Sequence, residues 1–234
     1  MIDAIFDHAE DVARNIKTFW FEPKRPVRFI AGQFTEIHLP HAADDRGIRR
    51  WFTISSSPTA ALVGITTKFA SPAGSSFKQL LSDLKPGAPL KLAEPMGDFV
   101  LPKDPTIPLV FVAGGMGITP MHSMLQWLQS TGEQRTIHLI YAAANTDELA
   151  FLPFLQRANI KLTTIIKTPG AEYQGESGSL STERILQLAP DDGKSLIYLA
   201  GPESMVETFF KEFPQKGIMQ ERLVTDYFPG YQQF

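Results

Sequence analysis

The chain contains no cysteine. That absence excludes disulfides, thiolate nucleophiles, Cys-ligated zinc and any cysteine-held iron–sulfur cluster, so redox chemistry here has to run on an organic cofactor. Excess positive charge is missing too. A formal net charge of −3 and a pI near 6.0 give no basic field of the kind that draws a protein to nucleic acid or anionic lipid. The N-terminus, MIDAIFDHAEDVARN, lacks the basic start and apolar run of a signal peptide, and no later run reaches the length of a membrane span. A cytoplasmic location is expected, with neither nucleic acid nor membrane as partner. Internal repeats and low-complexity segments are absent as well.

What is present is the composition of an ordinary folded protein, 43% hydrophobic and 20% charged over 234 residues, enough for two compact domains. Up to about Leu101 the apolar residues fall in short alternating or β-branched runs, among them Asn15–Phe21, Phe34–Leu39, Trp51–Ser55 and Leu62–Phe69. Turn signals at Pro23, Ala31-Gly32, Asp44–Gly47 and Pro86-Gly87 separate them, and a short helix is expected over Ser76–Leu84. This half reads as an antiparallel β-barrel, residues 1–103.

After LPKDPTIP the pattern changes to apolar strands separated by segments of helical period, which predicts a parallel-sheet α/β domain over 104–234. Strands are expected at Leu109–Ala113, Thr136–Tyr141, Lys161–Ile166, Ser195–Ala200 and Gln220–Thr225, with helices starting at Pro120, Asp147, Ser181 and Pro202. Met121, Met124, Leu125 and Leu128 make an apolar stripe at helical spacing, with Gly132 as its C-cap.

Two segments carry chemistry. In LVFVAGGMGITPM, Leu109–Met121, a buried strand runs into Gly114, Gly115 and Gly117 and then a helix with Pro120 in its first turn. Glycines that admit close backbone approach, followed by unpaired helix N–H groups, are phosphate-binding geometry, although the spacing is not GxGxxG. A tight strand-to-helix turn that binds nothing is the competing reading. In RRWFTISSSP, Arg50–Pro58, a guanidinium suits a diphosphate, Phe52 a ring system and Thr53 a ring nitrogen. Alternation puts Arg50, Phe52 and Ile54 on one face and Trp51 and Thr53 on the other. Read alone, this segment is equally an edge strand ending in a Ser-rich turn.

Together the two resemble a known family. RRWFTISS is similar to the flavin-binding R-x-Y-[ST] motif of ferredoxin-NADP reductase-like enzymes, and GGMGITP to their nicotinamide-domain G-x-G-[IV]-[TA]-P motif. AGQF, PAGSSFKQLLSDLKPG, EPMGDF, YLAGPESM and DYFPGY follow in the family's order, so the resemblance spans nearly the whole chain. It implies that Arg50, Phe52, Thr53, Ile54, Ser55, Thr67, Lys68, Gly74, Ser75, Ser76 and Phe77 hold FAD, Ser75 at the pyrophosphate and Thr53 near the reactive N5. It further implies that Gly115, Gly117, Thr119, Pro120, Gly201 and Pro202 line the nicotinamide pocket, and that Phe228, with Tyr231 behind it, covers the flavin face. A core phenylalanine on the last strand is the other reading of Phe228. Three positions depart from the family: Phe52 replaces a common tyrosine, Pro72 a common glycine and Ala200 a common cysteine.

By the same resemblance the chain is an FAD-dependent NAD(P)H oxidoreductase that passes electrons to a ferredoxin, flavodoxin or other redox protein. A self-sufficient reductase of free flavin, quinone or ferric complexes, and a ligand-binding module without turnover, are the alternatives. The stretch after the second strand, YAAANTDE, has two acids and no base, so NADH is expected over NADPH, with Lys167 the residue most able to reverse that. Lys24, Arg25, Arg28, Arg46, Arg49 and Arg50 form a basic cluster able to steer an acidic partner, or simply a solvated face. His38 and His41 flank Leu39-Pro40, but the proline prevents a helical pair and no third ligand is evident, so no metal is expected.

Overall fold

Two long strands, β1 (Ile2–Ala13) and β2 (Ile16–Pro23), open the chain as an antiparallel hairpin whose connection places Asn15 at φ 57°, a conformation asparagine tolerates. The computed structural model describes residues 1–40, 47–69 and 75–228. The sequence pattern does not reveal β1, because it curves through two register shifts and its second half is solvent-facing on both sides. The half continues with β3 (Phe34–His38), β4 (Arg49–Thr53), β5 (Val63–Lys68), α1 (Ser76–Asp83) and β6 (Pro89–Leu92).

The strand order is β4-β3-β6-β1-β2-β5, and a bridge between Ile54 and Ile65 joins the end of β4 to β5, so the sheet closes on itself as the expected barrel. Phe6, Phe19, Phe21, Ile37 and Ile65 fill it, and α1 caps one side by burying Phe77 and Leu81. Removing a side chain of this size from water is worth about 1.5–3 kcal/mol, which is what holds so short a helix in place.

The second half is the expected parallel sheet: β7 (Leu109–Gly114), β8 (Ile137–Ala143), β9 (Lys161–Ile166), β10 (Glu176–Ser177), β11 (Leu196–Pro202) and β12 (Leu223–Phe228), in the order β10-β9-β8-β7-β11-β12. A 3-10 turn at Gly115–Gly117 leads into α2 (Ile118–Thr131), so the helix begins two residues before Pro120; α3 (Leu152–Leu155), α4 (Thr182–Leu188) and α5 (Glu203–Gln215) follow. The Met121, Met124, Leu125 and Leu128 stripe is buried, and Gly132 ends α2 as expected.

Two expectations need correction. No helix starts at Asp147: Thr146–Glu148 is a single 3-10 turn, and only the four residues of α3 follow, entered through Phe151 at φ 61° with Pro153 in the first turn. The last strand starts at Leu223, because residues 220–222 form a 3-10 turn that buries Arg222.

The two halves share a core. Ile16, Ala31 and Phe99 of the first half pack into the cluster built by β7, β8 and α2. Tyr198 donates its hydroxyl to the Val100 carbonyl at 2.6 Å and meets the Phe99 ring edge-on at 5.1 Å. Arg135 donates to the carbonyls of Pro102 (2.9 Å) and Asp104 (3.2 Å), fastening the Pro-rich connection to the sheet.

Candidate functional site

Chain direction in the parallel sheet reverses at β7. From β7 the chain runs outward through β8, β9 and β10, then returns to lay β11 and β12 on the other side of β7. A sheet of this kind has its natural crevice beyond the carboxyl ends of the two strands at the reversal. Those ends are Gly114, running into Gly115–Gly117, and Gly201-Pro202. Ala113 and Ala200 are paired, so the two glycine segments lie side by side.

Gly117 approaches β11 so closely that a Cβ there would lie 2.0 Å from the Ala200 carbonyl oxygen and 2.7 Å from the Gly201 nitrogen. Gly115 takes φ 52°, the left-handed region that favours glycine. Next to this turn a cleft of about 340 Å³ is lined by Gly114, Ala142, Ala143 and Pro202 together with Lys167, Ser179, Ser181, Glu183 and Glu212. Its donor set and its glycine floor fit a dinucleotide. Of the residues expected there, Pro202 lines the cleft; Gly115, Gly117, Pro120 and Gly201 are buried outside its lining, and so is Thr119. It is 1% exposed and donates its hydroxyl to the Met116 carbonyl at 2.9 Å, so its side chain shapes the turn from within. Pro120 is likewise buried in the first turn of α2.

On the barrel side, β4 keeps the expected alternation: Arg50 and Phe52 are half-buried on one face, Trp51 is exposed on the other, and Thr53 is buried. The Arg50 guanidinium lies 5.1 Å from the centre of the Phe77 ring and donates to the carbonyls of Gly47 and Arg49. Phe52 and Phe77 stand 6.1 Å apart. Arg50, Phe52 and Phe77 therefore converge at the N-terminus of α1, beside Ser75 and Ser76, where a cation and the positive end of a helix suit a phosphate-bearing aromatic cofactor. Gly74, Pro72, His41, Arg46 and Tyr231 lie outside the described residues.

Other expected ligands face inward. Ile54 is in the barrel core, and the Ser55 hydroxyl bonds to the Gly64 carbonyl (3.1 Å) and the Thr66 hydroxyl (2.7 Å). Thr67 is fully buried. Their side chains build the barrel wall, and the Ile54 and Ser55 N–H groups donate to the Gln33 and Gly64 carbonyls. Lys68 pairs with Glu148 at 2.8 Å across the two halves, and Asp147 pairs with Arg14 at 3.0 Å. Both acids of YAAANTDE thus tie the domains together instead of facing the cleft, which removes the repulsion on which the coenzyme expectation partly rested. In the basic cluster, Arg25 pairs with Glu94 and Arg49 approaches Glu36 at 4.0 Å. His38 pairs with the same Glu36 at 2.7 Å.

Phe228 ends β12 opposite Pro202, half-buried against the core cluster that contains β7 and α2. β5 packs on the Gly115–Gly117 turn, which brings a strand expected to hold flavin against the turn expected to receive nicotinamide.

Two residues without an expected role stand at this junction. One is His122, buried on α2. Asp226, paired with Ala200 on β12, has its carboxyl pushed up to about 6, chiefly by burial and further by the charge of Asp98, while the Tyr227 N–H pulls the other way. Motif reading of DYFPGY could have reached it, but burial of a carboxylate is not visible in sequence. The sign follows from linkage: the neutral form is favoured in the folded state, so its stabilisation is complete below about pH 4 and is lost as pH rises through 6. Asp226→Asn is expected to raise stability at pH 7.5 by about 2 kcal/mol and to leave it unchanged at pH 4. Chemical denaturation at the two pH values checks this, and an equal effect at both would refute it.

Residues 111–211 match the family model described as the oxidoreductase NAD-binding domain. The chain is 25% identical over 232 residues to the reductase component of propane 2-monooxygenase from Rhodococcus jostii, covering 94% of this chain and 61% of that one. Among solved structures it is similar to the flavohem-like FAD/NAD binding domain of nitric oxide dioxygenase from Vibrio cholerae (TM-score 0.83, 18% identity, covering 97% of this chain and 98% of that one). It also resembles a ferredoxin NADP+ reductase from Neisseria gonorrhoeae with bound FAD and NADP (TM-score 0.79, 20% identity, 96% and 97% covered). At these identities the structural likeness is one of fold. The chain spans about three fifths of the length of the curated relatives it matches first, at 61% and 57%.

Proposed function

We propose that the chain belongs to the ferredoxin-NADP reductase-like family and is a flavin-dependent NAD(P)H oxidoreductase that hands electrons to a separate redox protein. The observation that carries this reading is the packing of β5 on the Gly115–Gly117 turn, which joins the barrel to the carboxyl end of β7, beside the cleft over Gly114 and Pro202. When bound, FAD would supply the two-electron to one-electron chemistry that no side chain of this chain offers.

The protein's own residues bind, orient and exclude water. Arg50, with Ser75 and Ser76 at the start of α1, holds the diphosphate; Phe52 and Phe77 line the apolar side; the buried Thr53 lies at the end of β4 nearest the other half. Gly117 and Gly201 let the ends of β7 and β11 lie against each other, since a Cβ on either would meet backbone of Ala200 or Gly114, and the nicotinamide end would lie over this seam beside Pro202. Phe228 shields the junction from water and has to give way when nicotinamide enters. Reaction then depends on holding the two rings in contact at a fixed angle, a task of positioning.

NADH is proposed as the preferred donor: the cleft has two carboxylates, Glu183 and Glu212, and Lys167 is the single base among the described residues that line it. The relative that is a monooxygenase reductase component supports a protein acceptor. The test is steady-state kinetics with FAD-loaded protein and a small one-electron acceptor. A kcat/KM at least about tenfold higher with NADH than with NADPH, a difference of about 1.4 kcal/mol, is expected together with slow reduction of oxygen and of free flavin. Faster turnover with free flavin or quinone than with any one-electron acceptor would move the protein to the self-sufficient class, and a preference for NADPH would assign Lys167 to the 2′-phosphate.

A further inference from the structure

One edge of α2 reads the barrel backbone residue by residue. His122 donates Nδ1–H to the Ser55 carbonyl at 2.8 Å, and Ser123 donates its hydroxyl to the Ser56 carbonyl at 2.6 Å. The Ser57 N–H donates to Gln126 Oε1 at 3.0 Å, and the Thr59 hydroxyl to that of Ser130 at 3.0 Å. The carbonyl acceptor fixes the tautomer of His122, since only a protonated Nδ1 can donate there. The ring is locked from its other side by Phe151, stacked at 3.6 Å with an 8° angle between planes, and by the edge of Phe154 at 4.9 Å. Burial holds the imidazole neutral down to about pH 4, so no charge has to be accommodated between the halves.

Position in the chain makes this contact set more than packing. Ser55 stands two residues after Thr53, the end of the flavin-side strand, and His122 stands five residues after Gly117, the end of the nucleotide turn. A short covalent-plus-hydrogen-bonded path between the two candidate ligand sites therefore runs through the His122–Ser55 bond. Building on the oxidoreductase reading, we propose that His122 is a positioning residue: its bond to Ser55, backed by Ser123 and Gln126, sets the separation and angle at which nicotinamide meets flavin.

Two substitutions separate this role from support of the fold. His122→Asn keeps an N–H donor where Nδ1 stood, and His122→Phe keeps a ring against Phe151 and drops the donor. The readout is the limiting rate of anaerobic flavin bleaching at saturating NADH, with FAD affinity and thermal midpoint measured alongside. The Phe variant is expected to bind FAD within about threefold of the parent yet bleach about tenfold or more slower, with the Asn variant recovering most of that rate. If His122→Phe does not fold, Ser123→Ala removes the neighbouring bond with little change of volume and is expected to slow bleaching by about threefold. A Phe variant with the parent's limiting rate, or Asn and Phe variants that slow equally, overturns the inference alone. Parent protein that takes up FAD and is not bleached by either nucleotide overturns the oxidoreductase reading instead, and this inference with it.

Discussion

Arg50→Ala is expected to weaken FAD binding by about 10- to 100-fold while leaving the fold intact. A hydrogen bond to a charged group contributes about 1.5–3 kcal/mol, and a guanidinium facing a diphosphate forms more than one. The fold survives because Arg50 contributes to it through contacts at the barrel surface: carbonyls of Gly47 and Arg49, and the face of Phe77. Arg50→Lys should fall between the two, since an ammonium keeps the charge and loses the planar fork. Titration of apo-protein with FAD, followed by quenching of flavin fluorescence, checks it. Unchanged affinity in Arg50→Ala would place the diphosphate elsewhere and leave the Phe77 contact as the reason for the arginine.

Gly117→Ala attacks the other half of the site and is expected to be strongly damaging. The added Cβ would lie 2.0 Å from the Ala200 oxygen and 2.3 Å from its carbonyl carbon, both backbone atoms of a central strand, so no side chain can rotate away. Overpacking of this kind costs about 3 kcal/mol, and at this chain length each kcal/mol lowers the melting midpoint by about 2–4 °C, giving a drop near 10 °C. Because the strain separates the two glycine segments, NADH affinity should fall with it, while FAD affinity, set on the barrel, is kept. Gly170→Ala is the control: nothing lies within 4 Å of its Cβ position, and its midpoint should not move. Equal midpoints for the two variants would contradict the close approach of the turn to β11.

Which parts of this were legible in the sequence follows from what sequence encodes. Apolar alternation and the switch to helical period after Pro108 are one-dimensional signals, so the barrel, the parallel sheet and most strand positions could be read directly. Motif order pointed to Arg50, Phe52 and Phe77, which the fold gathers at the start of α1, and to the glycine segments, which it lays side by side at the ends of β7 and β11. The helix expected at Asp147 failed because charged residues at helical spacing do not reveal that Phe151 breaks the run in a left-handed conformation. The acids of YAAANTDE were visible as charge, whereas their partners Arg14 and Lys68 lie 133 and 80 residues away and are set only by tertiary packing. Ser55, Thr67 and Thr119 have side chains suited to a ligand, and each is turned inward to satisfy a carbonyl or the barrel wall, a choice that burial makes and composition does not. His122 was hidden for the opposite reason: a histidine on a buried helix edge carries no pattern, and its role is defined by the Ser55 carbonyl it meets.

The most direct measurement is the visible absorbance spectrum of the purified protein under anaerobic conditions, before and after addition of NADH and then NADPH. The account predicts a flavin spectrum, from bound or added FAD, that bleaches rapidly with NADH and more slowly with NADPH. A colourless protein that takes up neither FAD nor FMN would contradict it and leave the fold without its chemistry.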